Sequence, residues 1–384
     1  MSNIGKVLVV GSNCIINRTP TFLAEIARRA SSFKVIQRRF YTSRDSSRRL
    51  VRFLYKLLGS IHYFLALPLS VSRADWVFLT ASNNPEILVL SFWARLFRKP
   101  ILVDYYVSFY EWTSLMMKTI QPDSRLARKF AKADKVALAQ AGVIHFNRCE
   151  IEHIRKLLVY EGSFRDPHVI PLFSRFDQNI SNIKFPQAAG PVRFVWWGSL
   201  MPLHGLDLIL AAFEQVAAIR TDFELHLCFL DVRRAESMLA DFGACDRAWL
   251  RVHDKLTLSD GSLPRFVNEN ADIGFSHFGV GEQADYVGSN KIIEAMALGR
   301  TSIVADTAGN RELSGIQELF LVCDRTVPAL AEKIREVIDQ PEVLRDKGSK
   351  CRLAYLNSYS TYVAERLFAS VIEDFLAGQG LRFD

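Results

Sequence analysis

The sequence predicts an α/β protein built from two doubly wound parallel sheets, and three observations carry that prediction. Strand-sized apolar runs alternate with helical stretches from Lys6 onward, the signature of parallel strands covered by helices on both faces. The alternation pauses once, at the polar, Pro-, Gly- and Ala-containing stretch NISNIKFPQAAGP, Asn179–Pro191, and then restarts. The chain has 384 residues, more than one hydrophobic core usually serves. We therefore expect a first domain over 1–180, a linker over 181–191 and a second domain over 192–360.

In chain order, KVLVV (Lys6–Val10) reads as the first strand and ends at Gly11, with a helix from about Thr21 to Arg29. FKVIQ, a long helix, WVFLT (Trp76–Thr80), another helix, PILVD (Pro100–Asp104), KVALA (Lys135–Ala139) and VIHF (Val143–Phe146) continue the pattern. After the linker come VRFVWWG, a helix from Leu206, FELHLCFL, a helix, WLRVH, ADIGFSHFG, a helix opened by Ser289, TSIVAD and LFLVC. Helices follow from about Pro328 to Ala377. The two halves are similar in plan and nearly equal in size.

Composition narrows the class. Hydrophobic residues make up 49% of the chain and no segment is low in complexity, so it is globular rather than disordered. The six cysteines are scattered, without a C-x-x-C pair, which argues against a disulfide framework or a zinc site and for a reducing compartment. The N-terminus lacks the basic and apolar regions of a signal peptide, and no apolar run is long enough to span a bilayer. Residues 1–190 hold 28 Lys/Arg against 13 Asp/Glu, whereas residues 191–384 hold 20 against 28. A basic half joined to an acidic half suggests that the first half meets something anionic. No nucleic-acid-binding motif is present, which leaves a membrane surface or an acceptor anchored in one.

The densest motif is VGSNKIIEAMALGRTSIVADTAGNRE, Val287–Glu312. Ser289 is placed to cap the helix NKIIEAMALG and Gly299 to end it. A helix N-terminus presents free N–H groups and partial positive charge, which suit a phosphate. Lys291, in the first turn, opposes the helix dipole but would complement a bound diphosphate. Asn290 precedes it, and Glu294, one turn on, would reach ribose or sugar hydroxyls. A plain capped helix with a snorkelling Lys and a solvated Glu fits the same letters. The second motif is VRFVWWGSLMPLHGLDLILAAFEQV, Val192–Val216. Its strand ends at Gly198 and Ser199, and His204-Gly205 opens a helix. Ligands of open α/β sheets bind at the carboxyl ends of strands, Gly lets backbone approach closely, and His204 could donate to a phosphate. An ordinary strand-to-helix turn reads the same way.

Together, GSLMPLHG and EAMALGRTSIVAD resemble the C-terminal domain of GT-B glycosyltransferases of the family 4 (group 1) type. Those enzymes show a Gly-rich loop roughly G-x-L-x-x-x-K-G and, further on, E-A-M-A-x-G before an apolar strand. The resemblance is strong over Val192–Glu312 and weaker in the first half. It implies two Rossmann-like domains facing a cleft, with the C-terminal helix (361–384) crossing back to the N-terminal domain. It implies retaining transfer of a sugar from a nucleotide-sugar to a saccharide or lipid-linked acceptor, the donor phosphate taking the acceptor proton, with no cofactor and no metal. No Asp is followed two positions later by another Asp, so the metal–diphosphate motif of the other large transferase fold is missing. The departures are specific. Ser199 and His204 stand where the family has Arg and Lys, and Tyr286 where it has the first of two glutamates, with Glu282 nearby but out of register. Asn290-Lys291 resembles a variant of the family, so positive charge would come from Lys291, or from Lys255 in HDKLT.

In the first half, ILVDYYVSFYEW (Ile101–Trp112) ends a strand at Asp104 and carries Glu111 in an aromatic loop. A carboxylate there can bind a sugar hydroxyl, and it can equally cap the next helix. Gly11, Ser12 and Asn13 would line the acceptor side of the cleft. RRLVRFLYKLLGSIHYFLALPL, Arg48–Leu69, sets Leu50, Phe53, Leu54, Leu57, Leu58, Ile61 and Leu65 on one helical face and Arg49, Arg52 and Lys56 on another. Such a helix lies on an anionic membrane or packs on its own sheet. The expectation is a cytoplasmic transferase, peripheral on the inner face of the plasma membrane, acting in surface polysaccharide or glycolipid synthesis. A catalytically silent binding or scaffold subunit and a sugar-nucleotide epimerase are the alternatives. GSNCIINR lacks G-x-G-x-x-G, which disfavours a nicotinamide enzyme.

Overall fold

The computed structural model describes residues 3–11, 18–36, 63–81, 84–159, 162, 166–186, 190–243 and 247–383. By contacts the chain divides into two compact units, Met1–Ile170 with Glu365–Asp384, and Pro171–Ala364. Each contains a six-stranded sheet in which every pairing is parallel.

The first sheet runs β2-β1-β3-β4-β5-β6, with β1 Lys6–Val10, β2 Ser32–Ile36, β3 Trp76–Leu79, β4 Ile101–Asp104, β5 Gly142–His145 and β6 His168–Val169. Val, Ile, Leu and aromatic residues fill β1 and β3 to β5, and nearly all of them are buried, as expected for strands covered on both faces. KVALA is not a strand. It forms the last turns of the helix Arg125–Leu138, which Ser124 caps by accepting from the Ala127 N–H at 3.1 Å. Ala133, Ala137 and Leu138 recur at helical spacing on its buried side, so a short apolar run had hidden a helical period.

The second sheet runs β12-β11-β10-β7-β8-β9, with β7 Val192–Trp197, β8 Phe223–Cys228, β9 Leu250–His253, β10 Ile273–Phe275, β11 Thr301–Ala305 and β12 Leu321–Cys323. One face of β7 and β8 (Phe194, Trp196, Leu225, Leu227) joins Leu206, Ile209, Leu210 and Phe213 of the helix Leu206–Ala217 in one core. The opposite face of the same strands carries Arg193, Trp197, Glu224 and His226. In each sheet the chain winds outward from a central strand and then resumes on its other side. The strand order therefore reverses between β1 and β3 and between β7 and β10, the crevices where open sheets take ligands.

The last helix, Thr361–Gly378, belongs to the first unit from Glu365 onward. Phe368 stacks on Phe22 with centroids 4.0 Å apart and planes at 14°, and Phe375 meets Trp76 edge-on at 5.6 Å. Glu373 pairs with Arg29 at 2.6 Å. Phe368 is fully buried, so Phe368→Ala should cost about 3–5 kcal/mol. Denaturant unfolding of the purified variant should show this as an earlier transition.

Candidate functional site

In the second unit, the loops after β7 and β10 are tied by backbone bonds. The Phe278 N–H donates to the His204 carbonyl at 3.2 Å and the Gly279 N–H to the Leu203 carbonyl at 3.0 Å. Gly205 has φ +59°, and a Cβ there would stand 2.3 Å from Phe278 carbonyl carbon, so this approach needs glycine. The helix Asn290–Ala297 begins beside them. Lys291 Cε lies 3.1 Å from where a Cβ on Gly198 would sit. Its ammonium lies 5.6 Å from the Trp196 ring centre.

Lys291 is 6% exposed and makes no salt bridge among the described residues. Burial is the main cause that lowers its pKa, to about 7, and Glu294 only partly opposes it. Glu294 is engaged elsewhere: the Trp197 Nε1–H donates to its Oε2 at 2.6 Å. Burial raises the Glu294 pKa, while the Trp197 bond and Lys291 lower it. Two imidazoles flank the lysine. His204 Nδ1 faces the Ser199 carbonyl and therefore carries the proton, which leaves Nε2 as an acceptor. Burial, then Lys291, lowers the His204 pKa to about 3, and the same two causes lower that of His277 to about 3. Donation from His204 to a phosphate would thus require a protonation that its surroundings oppose.

Ser289 occupies the N-cap position, but its hydroxyl makes no capping bond. The expected cap is absent, and the first N–H groups of that helix are not covered by it. Asn290 is exposed, and so is Lys255, which has φ +60° in the loop after the edge strand β9. The whole of β8 lies between β9 and β7, and among the described residues no hydrogen bond or ion pair ties Lys255 to Lys291. Tyr286 ends the short helix Glu282–Tyr286, whose first residue, Glu282, is exposed. Asp306 is held by Arg311 at 2.6 Å.

The first unit carries a second polar cluster at its strand ends. Asp104 is fully buried and accepts from Arg18 Nε at 2.7 Å. Burial raises its pKa and Arg18 opposes the rise. Arg18 Nη1 also donates to the Ile170 carbonyl at 3.2 Å. Among the described residues, Arg18 Nη2, Asp104 Oδ2 and His145 Nε2 are buried without hydrogen-bond partners. Asp104 is thus half of an ion pair rather than a helix cap. Glu111 is buried, with Oε1 2.7 Å from His153 Nε2 and Oε2 unpartnered. Asp134 organises the aromatic loop, accepting from Asn84 and Ser108 side chains and the Tyr110 N–H at 2.8, 2.8 and 3.0 Å. Burial raises its pKa to about 6. Gly11 directly follows β1, and its N–H donates to the Ile36 carbonyl at 3.0 Å. Ser12, Asn13 and residues 48–62 lie outside the described residues.

Sequence reading missed Arg18, Asp134, His153, Trp197 and His277. One signal was available for Arg18: like Lys291, it is a cation in the first turn of a helix, where the dipole disfavours it unless an anion compensates.

Lys291 gives a pH prediction. Its folded pKa lies below the unfolded value, so the folded state disfavours the charged form. That burden is complete below about pH 7 and disappears as the pH rises towards the unfolded value of 10.5. Lys291→Met should therefore melt above the wild type at neutral pH and below, by on the order of a few kcal/mol. The gap should close by about pH 10, measured by paired thermal melts.

No protein-family profile matches the chain, and no curated protein sequence matches it. Solved structures do. A sucrose-phosphate synthase from Thermosynechococcus elongatus superposes with a TM-score of 0.68 at 14% identity, covering 97% of this chain and 99% of that one. HepE from Anabaena, in complex with UDP-glucose, gives 0.65 at 12%, covering 96% and 99%. A putative UDP-N-acetylglucosamine 2-epimerase from Listeria monocytogenes gives 0.53 at 13%, covering the whole of both chains. At these identities the likeness is one of fold: the chain has the GT-B architecture.

Proposed function

We propose that this protein is a glycosyltransferase that takes a sugar from a uridine diphosphate donor, with the diphosphate bound at Lys291 and the start of its helix. The observation that carries this reading is the buried, unpaired Lys291 ammonium at the β7/β10 reversal. A desolvated cation without an anion is costly, and a diphosphate would supply the missing partner. The loop N–H groups and Lys291 would stabilise charge growing on the departing diphosphate, and Glu294 would meet ribose or sugar hydroxyls. HepE, solved with UDP-glucose and with UDP, favours uridine as the base.

The finer reading is a retaining hexosyl transfer without metal or other cofactor. The bond from the anomeric carbon to the phosphate oxygen breaks. The acceptor oxygen bonds the same carbon from the same face, and its proton passes to the leaving phosphate. Asp104, through Oδ2, and Glu111, through Oε2, would receive acceptor hydroxyls in the first unit.

UDP and UDP-sugars should raise the melting temperature more than GDP, ADP or CMP, and Lys291→Ala should abolish the shift, since only ligand bound to the native state stabilises it. Transfer that survives Lys291→Ala and Glu294→Ala would reject the site. Transfer should also persist in EDTA. The epimerase neighbour keeps a second reading in view, and conversion of a UDP-sugar without any acceptor would select it.

We also propose that the acceptor is lipid-linked, in surface polysaccharide or glycolipid synthesis, and that the first unit rests on the inner, anionic membrane face. Among the described residues no helix is long and apolar enough to cross a membrane. Phe64, Leu65 and Leu69 on helix 63–73, and Phe92 and Leu96 on Ile87–Leu96, are exposed, while the buried sides of both helices share one core. Arg73, Arg95 and Arg98 are exposed on or beside these helices. Apolar residues flanked by cations suit an anionic interface. The protein should cosediment with phosphatidylglycerol vesicles, and Leu65→Asp with Leu96→Asp should remove most of that binding. Undiminished binding by the double variant would refute this surface.

A further inference from the structure

We propose that Trp197 is a positioning residue that locks the Glu294 carboxylate in one orientation, so that the site distinguishes a ribonucleoside diphosphate from its deoxy counterpart through the remaining oxygen. This rests on the reading of Glu294 as the residue that meets the ribose.

The two residues are 97 positions apart, yet the indole N–H reaches Oε2 at 2.6 Å. Trp197 is 3% exposed, and its ring stacks on Phe176 with centroids 5.8 Å apart and planes at 20°. Gly274 makes room on the sheet: a Cβ there would come 3.3 Å from Trp197 Cη2. The indole is thus fixed by core packing, and it in turn fixes the carboxylate before any ligand arrives. Charge-assisted bonds of this length are among the stronger ones. A glutamate otherwise loses side-chain entropy when it orders on a ligand, and here the ordering is already done. Oε1 takes no hydrogen bond from a described residue, which leaves it as the acceptor for a ribose hydroxyl. A site built around a hydroxyl rejects the analogue that lacks it because its own polar group is left unpaired.

The test is calorimetric titration with UDP, 2′-deoxy-UDP and 3′-deoxy-UDP. In the wild type, the analogue lacking the hydroxyl held by Oε1 should bind roughly tenfold more weakly than UDP. Trp197→Phe keeps the stack on Phe176 but removes the N–H. It should weaken UDP towards that analogue and leave the analogue unchanged, so that discrimination collapses. Phe176→Leu, which loosens the indole without removing its N–H, should do the same to a smaller degree and serves if Trp197→Phe does not fold. Equal weakening of all three nucleotides in these variants would show an effect through the core alone and overturn the proposal. Glu294→Gln separates the two layers. If it abolishes discrimination and Trp197→Phe does not, only the role of Trp197 fails. If discrimination survives Glu294→Gln, or no nucleotide binds, the ribose reading fails and the proposal with it.

Discussion

A nearly buried lysine that makes no salt bridge among the described residues is the constraint that organises the second unit. Nothing in the local sequence makes Lys291 comfortable there. It opposes the dipole of its own helix, it is nearly buried, and the one carboxylate on its helix face is held by an indole. The residues around it are arranged so as not to neutralise it. His204 and His277 are kept neutral by burial and by the lysine itself, and Trp196 offers only a ring face. Each feature would be a defect in a purely structural core, where buried charges are paired. Together they leave Lys291 in a setting of low dielectric, where a charge on it would act strongly on an anion brought to it.

The first unit handles charge differently. Its buried ionisable groups are largely satisfied within the protein: Asp104 by Arg18, Glu111 by His153, Asp134 by four donors. Single atoms without a hydrogen-bond partner among the described residues remain, Asp104 Oδ2, Glu111 Oε2, Arg18 Nη2 and His145 Nε2 among them. A paired carboxylate with one spare oxygen is a rigid hydrogen-bond acceptor, not a point of free charge. That chemistry matches uncharged hydroxyls, whereas an unpaired lysine matches a phosphate. The two units therefore carry different chemistry at their strand ends, although their sheets are wound alike.

Most of the fold was legible because parallel strands buried on both faces read as continuous apolar runs, and eleven of the twelve strands lie where such runs fall. The twelfth, β6, is two residues long. KVALA misled because four apolar residues cannot distinguish strand from helix. At the site, Lys291, Glu294, Gly198 and Gly205 stood out as charges and glycines at the ends of strands and starts of helices. The partners Arg18, Trp197 and His153 did not. A tryptophan in an apolar strand reads as core, and it is core, except for one N–H. That its N–H meets a carboxylate 97 residues away follows from the order β10-β7-β8 and the helix packed above it, which no local pattern encodes.

The replacements at Ser199 and His204 fit this electrostatic arrangement. With Lys291 where it is, a cation at 204 would place two like charges in one desolvated pocket, and each would depress ionisation of the other. A neutral imidazole whose Nδ1–H is tied to the Ser199 carbonyl avoids that conflict and fixes the loop. The β10 loop adds the same economy. Its backbone binds the Leu203 and His204 carbonyls, and Arg325 clasps it through the Gly279 carbonyl at 2.8 Å. Its one buried titratable side chain, His277, stays uncharged. One cation, two neutral rings and a tethered carboxylate form a self-consistent set: restoring a cation at 204 without removing Lys291 would add repulsion where the present arrangement has none.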